Sequence, residues 1–208
     1  MFQPIAVPKS LEIDRTRFTL MRRRQFLAAG YGFLAVAVSG RLGLAQAKKT
    51  RTVNGGGLTF EVPEGWKSSR PGSQMRRAQI AIPAAEGDKE DGECVLFAFP
   101  GGAGTVDANI ERWAGQFRTE SGKPPKPVAK MAKGKNTDVT VVEIKGRYVA
   151  PIAPGNPETV DKPGFVLLGA IAETPETSYF LKVTGPEKTM KAAAADLDAL
   201  IASMTVEK

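Results

Sequence analysis

The chain has no histidine and a single cysteine, Cys94. Without histidine it lacks the commonest general base and the commonest metal ligand. That excludes Ser–His, Cys–His and His-ligated zinc chemistry. One cysteine excludes an intramolecular disulfide, a four-cysteine zinc site and an ordinary iron–sulfur centre. What the chain does have is charge of one sign: 29 Lys and Arg against 22 Asp and Glu, a net of +7 over 208 residues. Such a balance invites an anionic partner, nucleic acid or membrane surface, so its distribution decides what it means.

Residues 21–47 read as an export signal. Arg22, Arg23 and Arg24 form a charged start, Ala28 to Val38 an apolar middle, and Ala45-Gln46-Ala47 a small-x-small cleavage site before Lys48. The apolar run is about a dozen residues, short of the roughly 20 that cross a bilayer. Arg23-Arg24-Gln25-Phe26-Leu27 resembles the core of a twin-arginine (Tat) signal, with Arg22 where Ser or Thr is usual and Ala28 where Lys is common. That resemblance implies folding in the cytoplasm and export of the folded chain to the periplasm or beyond. Residues 1–20 precede a Met21 that opens a complete signal by itself. The leader, residues 1–47, holds seven of the basic and two of the acidic residues, so the remainder carries 22 against 20, a net of +2. Most of the basicity belongs to the leader.

The remaining stretch of about 160 residues suits one domain. Residues 48–56 read as a flexible linker ahead of a single domain over 57–206. Leu58 to Val62 alternates apolar and polar residues up to Pro63, and Gln79 to Ile82 ends at Pro83, so both read as strands. Cys94 to Phe99 is a continuous apolar run, the pattern of a strand buried on both faces. Thr105 is placed to cap a helix whose stripe is Val106, Ile110, Trp113, Ala114 and Phe117, closed by Gly122 and Pro124-Pro125. Strands are expected over Val139–Val149, Phe165–Ala172 and Ser178–Thr184, the last two joined by a tight hairpin at Pro175-Glu176. Gly185-Pro186 opens a final helix with Met190, Ala193, Ala194, Leu197, Leu200, Ile201 and Met204 on its buried side. Strands, helix, strands, helix is the order of an α+β fold with a mainly antiparallel sheet flanked by helices.

Phe60-Glu61-Val62-Pro63-Glu64-Gly65-Trp66, with the closing hairpin, Gly185-Pro186 and the C-terminal helix, resembles the PsbP/Mog1-like fold over most of residues 57–206. Asn109-x-x-Arg112-Trp113-x-x-Gln116-Phe117 and Phe180-x-Lys182-x-Thr184-Gly185-Pro186 are similar to an uncharacterised group of secreted bacterial proteins. The wider fold implies accessory or partner-binding work rather than catalysis.

Each chemical constellation has a simpler structural reading beside it. Pro100-Gly101-Gly102-Ala103-Gly104-Thr105 joins a strand to a helix N-terminus, where free amides can hold an anion. Its spacing fits neither the dinucleotide fingerprint nor the Walker loop, and a flexible connection is the simpler reading. Asn109, Arg112 and Gln116 form a polar stripe beside Trp113, suited to a carboxylate or a peptide backbone, or else to tying the helix to its neighbours. Glu86, Asp88, Glu90, Asp91 and Glu93 crowd one loop but miss EF-hand spacing, so a solvated loop is expected and no metal site. Lys123, Lys126, Lys130, Lys133 and Lys135 form a basic patch without an aromatic for base stacking, which favours a protected sheet edge or an anionic surface over nucleic acid. Pro151, Pro154 and Pro157 punctuate a long loop that reads as mobile. Cys94 reads as a buried packing residue, and Trp66 and Trp113 as core anchors.

No spacing supports a catalytic set, so no catalytic residue and no cofactor are expected. The sequence points to an exported, non-enzymatic binding or accessory protein acting through a groove or protein interface. Its partner is a protein or a small anionic ligand, with no nucleic acid, and it meets membrane only during export. Candidate binding residues are Asn109, Arg112, Gln116, Gly101, Gly102 and Gly104. The alternative is a periplasmic, hydrolase-like enzyme using carboxylate, Lys or Tyr chemistry, drawn from residues such as Glu143 with Lys145, or Tyr148.

Overall fold

The computed structural model describes residues 48–73, 75–152 and 155–207. The twin-arginine motif, the apolar run and the cleavage residues Ala45 and Ala47 lie outside the described residues, as does Pro154. The described residues belong to one unit.

The first departure from the sequence reading comes at its start. The segment expected as a linker carries β1 (Thr50–Asn54), paired antiparallel with β2 (Leu58–Pro63) from Thr50↔Pro63 to Asn54↔Thr59. Thr52 and Val53 are β-branched residues that suit a pleated edge, and the Thr52 hydroxyl donates to Glu61 Oε1 at 2.6 Å. Gly56 and Gly57, at φ 75° and 95°, turn the chain between the two strands in a conformation that side chains resist. In β2 the alternation puts Leu58, Phe60 and Val62 inside.

The main sheet follows. β3 (Lys67–Ser69), β4 (Arg76–Ile82) and β5 (Gly92–Pro100) lead to α1 (Val106–Ala114). Thr105 is the N-cap, its hydroxyl accepting from Ala108 N at 3.2 Å. The helix is shorter than its apolar stripe suggests. Gly115 caps it, and Phe117 opens β6 (Phe117–Arg118), still fully buried, because Val149 N donates to Gln116 O and draws the chain onto its neighbour. β7 (Val128–Lys133) and β8 (Asp138–Tyr148) come next, then β9 (Lys162–Glu173) and β10 (Thr177–Pro186), closed by a turn in which Thr174 N donates to Thr177 O. The C-terminal helix is two helices, α2 (Glu187–Ala192) and α3 (Ala194–Ser203), meeting at Ala193, and Pro186 ends the strand instead of opening the helix. β11 (Thr205–Val206) completes the chain by pairing with β2.

Two antiparallel sheets result. One has the order β1-β2-β11. The other runs β3-β4-β5-β10-β9-β8-β6, with β7 also on β8. The apolar β5 and β10 sit at its centre, as continuous hydrophobic runs should. One face of this large sheet packs Ile80, Cys94, Leu96, Leu181 and Val183 against Met190, Leu197 and Leu200 of the C-terminal helices and against β2. The other packs Val142, Leu167, Ile171 and Phe180 under Ile110 and Trp113 of α1. Each fully buried Leu, Ile or Phe contributes about 1.5–3 kcal/mol. This is an α+β fold with a mainly antiparallel sheet between helices. Among the described residues no helix is long and apolar enough to cross a membrane.

Candidate functional site

The two faces of the large sheet offer different chemistry. On the α1 face, β10 carries one charged residue inside an otherwise apolar run, Lys182. Alternation sends it to the same side as Phe180 and opposite Val95 in the ladder. There its amine donates to Gln116 Oε1 at 2.7 Å and to Tyr148 Oη at 3.0 Å, and lies 5.1 Å from the Tyr148 ring centroid. The two sequence motifs that carry a family resemblance, 66 residues apart, therefore meet in one hydrogen bond.

Next to it, Glu93 of β5 accepts from Arg76 Nη1 at 3.3 Å and Gln79 Nε2 at 2.9 Å, with Arg76 5.9 Å over the Phe97 ring. Burial pushes Lys182 down to about 8. The nearby Glu93 carboxylate opposes that shift, while Arg76 and Arg112 add to it. Burial likewise pushes Tyr148 up to about 12, with Glu93 contributing.

The polar stripe of α1 is divided between support and display. Asn109 is buried, and its amide nitrogen donates to Ala103 O at 3.0 Å and Thr105 O at 2.8 Å, tying the helix to the loop before it. Its oxygen then accepts from Arg112 Nη2 at 2.5 Å, while Arg112 itself is exposed. Gln116 reaches inward to Lys182.

The glycine loop is arranged differently from an anion cradle. Gly101, Gly102 and Gly104 have φ of 78°, 93° and 81°. The first two amides are already spent, on Glu176 O at 2.7 Å and Phe99 O at 3.1 Å. The structure thus joins Gln116 to Lys182 and Arg112 to Asn109, and gives the glycines a turn.

On the opposite face lies a groove of about 570 Å³ between the outer end of the sheet and the C-terminal helices. Val141, Val166, Leu168, Met190 and Leu197 form its apolar lining. Its rim carries Lys130, Lys145 and Lys191 among Glu143, Glu187 and Asp198. Glu143 and Lys145, paired in the enzyme reading of the sequence, form a half-exposed ion pair of 3.1 Å on this rim. The groove lies against α2 and α3, whereas the sequence had drawn attention to the first helix.

The other charged segments find local roles. In the acidic loop Asp88 Oδ2 accepts from Thr189 N at 2.9 Å and Thr189 Oγ1 at 2.7 Å, capping α2 from outside, while Asp91 accepts from Ala84 N at 2.9 Å and Glu90 pairs with Lys162. Two of the basic-patch lysines, Lys130 and Lys133, lie on the exposed β7, and Lys133 pairs with Asp138. Among the described residues of the proline loop, Ile152 N donates to Glu158 O and Val160 N to Ala150 O. Cys94 is fully buried, and burial pushes its thiol up to about 12.

Lys182 was missed as a site residue by sequence reasoning. Its signal was present: one cation in the middle of Tyr179-Phe180-Leu181-Lys182-Val183, where a core strand tolerates charge only with partners. Arg76 carried no such signal, and Glu93, read as part of the solvated acidic loop, lies instead in β5, half-buried and engaged by Arg76 and Gln79.

No family model matches the chain, and no curated protein matches it. Among solved structures it is similar to the solution structure of cyanobacterial PsbP (CyanoP) from Synechocystis sp. PCC 6803, at 12% identity and a TM-score of 0.47, over 79% of this chain and 96% of that one. It is also similar to a crystal structure from Bacteroides thetaiotaomicron VPI-5482, at 16% identity and a TM-score of 0.45, over 77% of this chain and 49% of that one. Neither likeness assigns a role to a residue of this chain.

Proposed function

We propose that the protein is an exported, non-enzymatic binding or accessory protein whose working surface is the groove between the β7–β9 end of the sheet and α2 and α3. One observation carries this reading: an apolar lining of about 570 Å³ with a rim of both charge signs, open to an incoming apolar segment. Export rests on the Arg23-Arg24-Gln25-Phe26-Leu27 motif and the Ala45-Gln46-Ala47 site of the sequence. Ala194 is exposed on the groove wall, so Ala194→Trp fills the space without touching the core. The full chain, expressed with its leader and recovered from the periplasmic fraction, is expected to retain a partner protein that the Ala194→Trp variant of equal melting temperature loses. Equal retention by both forms would count against the groove, and recovery only from the cytoplasm would count against export.

The hydrolase-like alternative has one observation in its favour, the lowered affinity of the half-buried Lys182 for its proton beside Tyr148. Turnover of ester substrates by the wild type and none by Lys182→Met is the result that would establish it.

A further inference from the structure

The α1 face of the sheet carries two cations, Arg112 and Lys182, beside a carboxylate that is already engaged. Glu93, two residues along β5 from Val95, the ladder partner of Lys182, is taken by Arg76 and Gln79, and Arg112 flanks Trp113, whose indole rests on Gly169, the other ladder partner of Lys182. Among the described residues Arg112 and Lys182 have no ion-pair partner within salt-bridge distance. Both are instead held by neutral acceptors that are themselves fixed. Asn109 is anchored through two backbone carbonyls before its oxygen receives Arg112, and Gln116 and Tyr148 receive Lys182. Neutral partners orient a cation without cancelling its charge. A half-buried cation held by neutral partners alone is costly unless an anion completes the set.

We propose that the corner between Arg112 and Lys182 binds the carboxylate of a small organic monoanion. The guanidinium and the ammonium each keep donors beyond those used internally, since lysine has three and arginine five. A planar carboxylate suits the guanidinium fork. Glu93, two residues along β5 from Val95 and so on the same face as Lys182, sets the limit at one negative charge rather than the two of a phosphate. Phe97 lies two residues along β5 from Val95, the ladder partner of Lys182, and is half-buried, so it supplies apolar surface on the same face for the body of the ligand. The corner is on the sheet face opposite the groove and is independent of it.

Binding carries a proton signature. An anion here offsets both the burial of Lys182 and the repulsion from Arg112 and Arg76, so it raises the affinity of the amine for its proton. Glu93 and Tyr148 are the remaining titratable groups against that amine.

The test uses the full chain with benzoate, and with neutral benzamide as an isosteric control. Calorimetry is combined with the NMR titration of the Lys182 side-chain amine. Benzoate is expected to bind at millimolar concentration and to move the Lys182 midpoint upward from about 8, while benzamide does neither. Arg112→Gln, on an exposed side chain, is expected to weaken benzoate by about tenfold with an unchanged melting temperature. Acetate is expected to bind more weakly than benzoate through loss of the Phe97 contact. Equal behaviour of benzoate and benzamide, or a Lys182 midpoint that benzoate leaves in place, would overturn the proposal. Inorganic phosphate displacing benzoate would overturn the assignment to a monoanion.

Discussion

The indole of Trp113 rests on Gly169: a Cβ built on that glycine would lie 2.1 Å from Trp113 Cζ3 and 2.8 Å from Val142 Cγ1. Gly169 is thus a seat cut into β9, where the helix α1 comes close enough to bury its tryptophan and set it edge-on to Phe180, with ring centroids 6.1 Å apart. The seat fixes how deeply α1 sits. It therefore fixes where Arg112 and Gln116 stand over the sheet.

Gly169→Ala is expected to destabilise the fold by about 1–3 kcal/mol, because the added methyl group meets ring and strand atoms that cannot withdraw. Urea denaturation measures it. A cost near zero would mean that the helix shifts freely and that the close approach is unimportant.

Removal of the Asn109 side-chain amide is expected to cost more than removal of the guanidinium it positions. Asn109→Ala removes a buried side chain that donates to Ala103 O and Thr105 O, leaving Thr105 O only the Asn109 backbone N–H, a loss of about 1–3 kcal/mol. Arg112→Ala changes an exposed side chain and should stay within about 0.5 kcal/mol. Melting curves of the two variants check the order. The reverse order would make Arg112 a structural tie and remove it as a binding residue.

Stability is expected to depend on pH through Lys182 in a definite direction. Below about 8 the amine is charged in both folded and unfolded chains, and the cost of burying that charge is fully present. Between about 8 and its ordinary 10.5 the unfolded chain binds the extra proton, so stability rises with pH across that window. Cys94, pushed up from 9.0, and Tyr148, pushed up from 10.0, act oppositely above those values because the folded chain keeps their protons. Subtracting the unfolding free energy of Lys182→Met from that of the wild type isolates the lysine. The difference should rise from pH 8 to 10.5, and a flat one would contradict a half-buried charged amine.

Asp88→Ala is expected to destabilise by about 1–2 kcal/mol through loss of the cap on α2, and Asp88→Asn by less, since an amide oxygen still accepts. Calcium should leave the unfolding curve of the wild type unchanged, because the loop carboxylates are divided among Thr189, Lys162 and the Ala84 amide. Stabilisation by calcium would show that the loop rearranges to gather them.

The sequence by itself determined the α+β class, the central strands and both helical regions, because each carries a period that only one kind of backbone presents to a core. It also identified Thr105 as a cap and Cys94 as a packing residue, since both follow from immediate neighbours. Tertiary structure alone decided the rest. β1 and β7 are exposed strands without a strong apolar signal, held by the ladders of β2 and β8. Phe117 satisfies a helical stripe equally well, and only its pairing with Tyr148 of β8, with Val149 N on Gln116 O, turned it into a strand. The corner around Lys182 joins β4, β5, α1, β8 and β10, and no local pattern encodes which polar side chains will converge once a sheet closes. The motif residues Arg112, Gln116 and Lys182 were visible in the chain. That Lys182 lies half-buried against Gln116, with Arg112 held by Asn109 on α1, follows from the depth at which Trp113 settles on Gly169.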